Sequence, residues 1–317
     1  MMIKEKKQTS RTLADYAGIA ARGFAMGAAD VVPGVSGGTM AFILGIYEEL
    51  IESLRQPLSL KIIRLALNFK IKEVLQAVNW QFLGSLGIGI LAAIFTLASF
   101  LESALVNYPA LVWSFFFGLV VASIFTVIKR VKRWGLLTYA AAIVGTIAAY
   151  ITVGLVPIQT PEDAWFIFLS GFIAICAMIL PGISGSFILV LLGKYQYILS
   201  AVTNRDFLTL IIFSLGCGIG LVTFAQVLGW LFKRYHDVTV AVLIGLMVGS
   251  LRKIWPWKET LSTILDRHGA EIPVEQVNIL PPVFDAQVAI ALVLALVGFA
   301  VVFLLDTIAS RREPAPA

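Results

Sequence analysis

Six apolar runs, at roughly 80–101, 109–128, 135–156, 207–232, 238–254 and 286–306, limit what this chain can fold into. Each is close to the ~20 residues that carry a helix across a ~30 Å hydrocarbon layer. Two further apolar regions, 12–54 and 165–200, are broken near their middles by Pro and Gly. With 59% hydrophobic and 14% charged residues among 317, there is too little polar surface to coat a soluble domain. In hydrocarbon the backbone has to satisfy its own polar groups, so the expectation is an all-α polytopic membrane protein. The net charge of +5 then belongs to loops that face lipid headgroups, and no nucleic-acid partner is expected. Cys176 and Cys217 lie inside apolar segments, which reads as small core thiols and neither a disulfide nor a metal pair. No cofactor is implied. No secretory cleavage pattern follows "MMIKEKKQTSR", so that basic start is expected to remain on the chain.

Charge sets the orientation. Lys4, Lys6, Lys7 and Arg11 precede the first apolar region, and residues 55–72 carry Arg55, Lys61, Arg64, Lys70 and Lys72 without an acid. "KRVKRW" at 129–134, Lys233-Arg234 and Arg311-Arg312 close later segments. The connections 102–108 and 157–164 hold only Glu102, Glu162 and Asp163. By the positive-inside rule the basic group is cytoplasmic, with both termini, and the other group is external, with 256–284. Region 12–54 therefore enters and leaves on one side, and 165–200 does so on the other. Both read as re-entrant hairpins.

The chain also repeats itself. Pro33, Gly34, Ser36, Gly37, Leu44, Gly45 and Tyr47 align without a gap on Pro181, Gly182, Ser184, Gly185, Leu192, Gly193 and Tyr195. "SLGIG" at 85–89 answers "SLGCG" at 214–218, and "GLVVAS" at 118–123 answers "GLMVGS" at 245–250. The expected architecture is two inverted-topology repeats, 1–156 and 157–317, each a re-entrant broken-helix hairpin followed by three transmembrane helices. Three crossings per repeat turn the second copy upside down. Inverted repeats with broken helices build many secondary transporters, with the binding site near the midplane.

The two motifs, "PGVSGG" at 33–38 and "PGISGS" at 181–186, have a physical reading. Proline stops the incoming helix near Val32 and near Leu180. Ser36 and Ser184 are suited to cap the outgoing helices. Two positive helix ends with unpaired N–H groups would then lie deep in the membrane, an arrangement that suits phosphate. The candidate anion-binding residues are Gly34, Ser36, Gly37, Gly38 and Thr39 in the first copy and Gly182, Ser184, Gly185 and Ser186 in the second. The alternative is a tight turn packed on small-residue helices.

Charges within apolar segments are costly unless paired or functional. Arg22 and Asp30 lie eight residues apart in the first hairpin, so they project to broadly similar sides. Arg22 is either a phosphate partner or half of a buried ion pair with Asp30. Asp30, Glu48 and Glu49 are candidate carriers of a coupled proton or cation. Glu48, Glu49 and Lys194 are expected to reach an interface with their long side chains. Arg252-Lys253, beside Trp255 and Trp257, read either as an interfacial anchor or as a lipid-headgroup contact. His236 and His268 fall in connecting segments, and no metal-spaced cluster recurs, which argues against a membrane hydrolase such as a lipid phosphatase. Spacing alone leaves an anion-handling transporter, or a channel or exchanger for small inorganic anions.

The stretches "AADVVPGVSGGTMAFILGIYEELI" and "AMILPGISGSFILVLLGKYQYIL", with "GLMVGSLRKIWPW", resemble the bacterial polyprenyl-phosphate transporters of the PopT type, formerly domain of unknown function 368. The resemblance runs from about residue 12 to about residue 306. It implies a flippase that returns undecaprenyl phosphate, the carrier of cell-envelope polymer synthesis, to the inner leaflet of the cytoplasmic membrane. Returning an anion inward works against a resting potential worth about 2.3 kcal/mol per charge per 100 mV, so coupling to protons or cations is expected.

Overall fold

The computed structural model describes residues 11–32, 35–56, 68, 70, 73, 78–265, 271–281 and 283–312. Helix α1 (Leu13–Val31) opens with a capping box, in which the Thr12 hydroxyl accepts from the Asp15 amide and the Asp15 carboxylate from the Thr12 amide. It stops where a residue preceding proline favours extended backbone: Val32 has φ −88° and ψ 116°. Two short helices follow, α2 (Gly37–Ile43) and α3 (Tyr47–Arg55), joined through Gly45 at φ +73°, a left-handed turn that suits a residue without a side chain. Then come three apolar helices, α4 (Trp80–Asn107), α5 (Pro109–Ile128) and α6 (Leu136–Thr152).

The same series recurs. Helices α7 (Ala164–Ile179), α8 (Gly185–Leu191) and α9 (Tyr195–Thr203) precede α10 (Phe207–Arg234), α11 (His236–Ser250) and α12 (Ala286–Arg312). Helices α2 and α8 each have 7 residues, α3 and α9 each have 9, and α4 and α10 each have 28. Gly193, at φ +62°, turns the chain between α8 and α9 as Gly45 does in the first series. Helices α8 and α9 meet at 106°.

Packing follows four helix pairs: α1 on α4, α7 on α10, α6 on α11 and α5 on α12. Gly23 and Gly27 of α1 press against Leu86 and Ile90, so that α1 ends beside the middle of α4. Gly171 and Gly220 do the same for α7 and α10. Directions come from α3. Its Glu49 and Gln56, which follows it, accept from Asn79 at the start of α4, while its Glu52 lies 3.5 Å from Lys233 at the end of α10. Helices α4 and α10 therefore run in opposite directions. Arg11, ahead of α1, pairs with Glu49 of α3 at 2.7 Å, so the first broken segment returns to the end it started from. In the second, Ile158 donates to Leu191 and Thr160 to Leu192, again bringing the return beside the entry. One end of the bundle thus carries Arg11, Arg55, residues 129–133 and Lys233; the far end carries the connections 107–109 and 152–164.

Among the described residues, four helices are long and apolar enough to cross a membrane: α4, α5, α10 and the Ala286–Leu305 part of α12. Their outward faces show bare apolar side chains, such as Phe95, Leu215 and Leu296, as lipid contact requires. Two helices are shorter than the expected spans 135–156 and 238–254. Helix α6 has 17 residues, ending at Val153-Gly154, and α11 has 15, ending in a turn at 251–254 ahead of Pro256. The all-α expectation also needs correcting. Strands β1 (Lys258–Leu265) and β2 (Glu271–Asn278) form an antiparallel pair. "KETLSTIL" and "EIPVEQVN" are rich in Thr, Ile and Val, and outside the spans water can satisfy a sheet edge. His268 and most of 55–72 lie outside the described residues.

Candidate functional site

The two broken helices meet. Ser36 donates its hydroxyl to the carbonyls of Met178 and Leu180, both at 3.1 Å. The Gly182 amide returns a bond to the Thr39 hydroxyl at 3.0 Å, and the Tyr47 hydroxyl donates to the Ile179 carbonyl at 3.2 Å. Gly38 lies flush against the Ile179 carbonyl, with no room for a Cβ. Ser36, Thr39 and Tyr47 are all buried. Since α1 and α7 each end beside the middle of a 28-residue partner, about 42 Å long, this junction sits deep in the bundle.

Within the junction the two copies differ. In the first, the Gly37 amide donates to the Asp30 carboxylate at 2.7 Å, the Gly38 amide to the Ser36 hydroxyl at 3.1 Å, and the Thr39 amide to the Ser36 carbonyl at 2.9 Å. Asp30 fills the place at the positive end of α2 that the sequence reading gave to a phosphate. Gly37, Gly38, Ser36 and Thr39 are thus committed to holding the junction. Gly34 lies outside the described residues. In the second copy the position matching Asp30 is Met178, and Ser184 makes no side-chain cap bond to α8, contrary to its expected role. Its hydroxyl instead sits 2.7 Å from that of Ser186. Gly182 adopts φ +89° and packs on Ser250 of α11, where a Cβ would lie 2.7 Å from Ser250 Oγ. Gly185 is buried against the Ala174 carbonyl.

The remaining predicted residues lie elsewhere. Arg22 is eight residues, about 12 Å of helix, before Asp30. A Cβ at Gly18 would sit 3.7 Å from its Nη1, so the guanidinium reaches back toward the start of α1, away from Asp30. No Arg22–Asp30 pair forms among the described residues. Glu49 binds Arg11 and Asn79, and Glu48 faces His236 at 3.4 Å, both at the basic end. Of the three acids only Asp30 is at the junction. Lys194 is buried, and it reaches the connection at the far end, donating to the Thr160 carbonyl at 2.8 Å with its ammonium over the Phe166 and Tyr197 rings.

Just beyond the junction, toward the far end, lie cations that spacing alone did not connect. Lys253 Nζ stands 4.6 Å from the Phe187 ring of α8, and Lys258 Nζ stands 4.4 Å from the Trp113 ring and donates to the Lys253 carbonyl. Burial pushes both ammonium groups down, Lys258 to about 7 with the Lys253 charge adding to it. The "LRKIWPWK" run held the signal, but the fold is what brings it beside "PGISGS".

Apolar helices with two broken segments joined deep in the bundle define a multi-pass membrane protein with the build of a transporter. The chain belongs to the undecaprenyl phosphate translocase-like family, whose model matches residues 26–272. A polyprenyl-phosphate transporter of Vibrio cholerae serotype O1 is 45% identical over 298 residues, covering 92% of this chain and 96% of that protein. A polyprenyl-phosphate transporter of Staphylococcus aureus is 28% identical over 253 residues, covering 74% of this chain and 84% of that one. No solved structure matches this chain.

Proposed function

We propose that this protein moves a polyprenyl phosphate, undecaprenyl phosphate by its family's description, across the bacterial cytoplasmic membrane, returning the lipid carrier to the inner leaflet. The observation that carries the reading is the deep junction of the two broken helices. Polar backbone deep in the bundle supports a path for a phosphate there, with the isoprenoid tail left to the lipid. Opposed α4 and α10, and the return of each broken segment to its starting end, support two inverted repeats divided near 156 with re-entrant hairpins. The concentration of Lys and Arg at one end supports cytoplasmic termini.

In this reading Ser184, Ser186 and the amides at the start of α8 face the phosphate, while Ser36, Gly37, Gly38 and Thr39, with the Gly182 amide, form the lock against which the second hairpin works. Arg22 serves the phosphate on its cytoplasmic approach. Coupling falls to Asp30. Its protonation removes the charge that neutralises the start of α2 and loosens the first hairpin at the junction.

The test is transport in vesicles reconstituted with the purified protein, using a labelled polyprenyl phosphate placed in one leaflet. Protein-dependent appearance in the other leaflet, without flux of chloride or inorganic phosphate, is the expected result. Flux of the small anions with no lipid movement would make the protein an anion channel or exchanger and overturn the reading.

A further inference from the structure

At the far end, Arg252, Lys253 and Lys258 sit together, with no acid beside them among the described residues. Arg252 donates to the Tyr150 carbonyl at 3.0 Å and stacks at 4.4 Å on the Tyr150 ring. Lys253 and Lys258 rest on Phe187 and Trp113 as described. No carboxylate pairs with any of the three among the described residues. Glu259, next in sequence, points to the opposite face of β1 and is exposed. The carbonyl end of α11 attracts positive charge, but its share is about half an elementary charge against three cations. Gathering like charges on half-buried aromatic surface is costly unless an anion joins them.

The cluster is also held in place. Asn278 of β2 donates to the Arg252 carbonyl at 2.9 Å, the Trp255 indole to the Ile279 carbonyl at 2.8 Å, and the Ile279 amide to the Trp257 carbonyl at 3.1 Å. The strand pair therefore straps the turn after α11. Beside it opens a cleft of about 440 Å³ lined by Phe117, Tyr150, Arg252, Trp255 and Asn278. Ser114, next to Trp113, is buried with an oxygen that finds no partner among the described residues. Donors and positive charge with aromatic walls are the chemistry that takes a phosphate attached to an apolar chain.

We propose that Arg252, Lys253 and Lys258 form a receiving site for the phosphomonoester headgroup of a lipid, one step from the second broken helix, to which the Lys253–Phe187 contact connects it. The proposal rests on the transporter reading for the identity of the lipid; the preference for a phosphate comes from the cations themselves.

The experiment is amine-reactive footprinting of the purified full chain, read by mass spectrometry at Lys253 and Lys258. A long-chain polyprenyl phosphate, the matching polyprenol, inorganic phosphate and phosphatidylglycerol are compared at equal concentration. The polyprenyl phosphate is expected to slow modification of both lysines about tenfold and leave Lys233 unchanged, with the other three near baseline. Equal protection by inorganic phosphate, or by the phosphodiester lipid, would overturn the assignment, as would no protection by any of the four. Lys258→Met and Lys253→Met are expected to weaken polyprenyl-phosphate binding about tenfold each, with Lys258→Arg retaining it. The footprint on the unaltered chain decides the matter if a Met variant fails to fold. Protection without translocation in vesicles keeps this site and removes the transporter reading. Normal translocation by a Lys253→Met, Lys258→Met double variant that binds lipid normally keeps the transporter and removes this site.

Discussion

Ser36 and Ser184 occupy the same place in the repeat and do different work. Ser36 donates to two carbonyls of the other hairpin and accepts the Gly38 amide, so Ser36→Ala strands buried polar groups. It should cost about 1–3 kcal/mol of stability, read as a lower melting temperature. Among the described residues the Ser184 hydroxyl bonds only to that of its neighbour Ser186. The Ser184→Ala, Ser186→Ala double variant should melt within a few degrees of the parent yet bind polyprenyl phosphate at least about tenfold more weakly, from the loss of a hydrogen bond to a charged group. The reverse pattern would make the second motif a structural turn. Asp30→Asn keeps an acceptor for the Gly37 amide and loses the charge, so it should fold and fail to transport, whereas Asp30→Ala should also melt earlier. Lys258 gives a prediction about pH. An unfolded lysine holds its proton to about 10.4, while burial lets the folded protein release it near 7. Between those values the unfolded chain binds more protons, so stability rises with pH. Melting temperature of the lipid-free protein should climb from pH 7 to 9, and Lys258→Met should flatten that part of the climb.

Among the elements, the seven-residue α2 and α8 decide the architecture, being too short to hold themselves. Their stability comes from the junction. A side chain at Gly38 would drive into the Ile179 carbonyl, so Gly38→Val should separate the hairpins and cost at least about 1–3 kcal/mol, checked by melting temperature in one detergent. The breaks at Val32 and Leu180 were legible because proline acts on its immediate neighbours. The caps were legible in part: Ser36 caps α2, but Asp30 supplies the charge, and nothing local tells that a carboxylate seven residues back will turn onto the Gly37 amide. The partners of Ser36 are 142 and 144 positions away, which no local pattern encodes. Helix lengths were overestimated at α6 and α11 because hydropathy continues past the last helical hydrogen bond. The strand pair was missed because a polar connection leaves no apolar period to read. The mismatches of Asp30 with Met178, Gly38 with Ser186 and Thr39 with Phe187 are visible in the repeat alignment, and they are the signals that separate the two copies.

At the scale of the whole molecule, the basic end and the far end should face opposite compartments. Single-cysteine labelling in intact cells should modify residues placed in 256–262 and 275–280 from outside and leave 129–133 protected. External labelling at 129–133 would reverse the orientation. The direction of lipid return depends on that orientation, and the proposed route takes the groups in their order between the ends: the Arg252–Lys258 cluster, then Ser184 and Ser186, then the Asp30 junction. A polyprenyl phosphate carrying a photoreactive group beside its phosphate tests that order most directly, with the cross-linked peptides mapped in membranes. Cross-links should fall on 181–187 and 250–258. Cross-links confined to the lipid-facing sides of α4 and α6, with none on either stretch, would contradict a phosphate path through the broken helices.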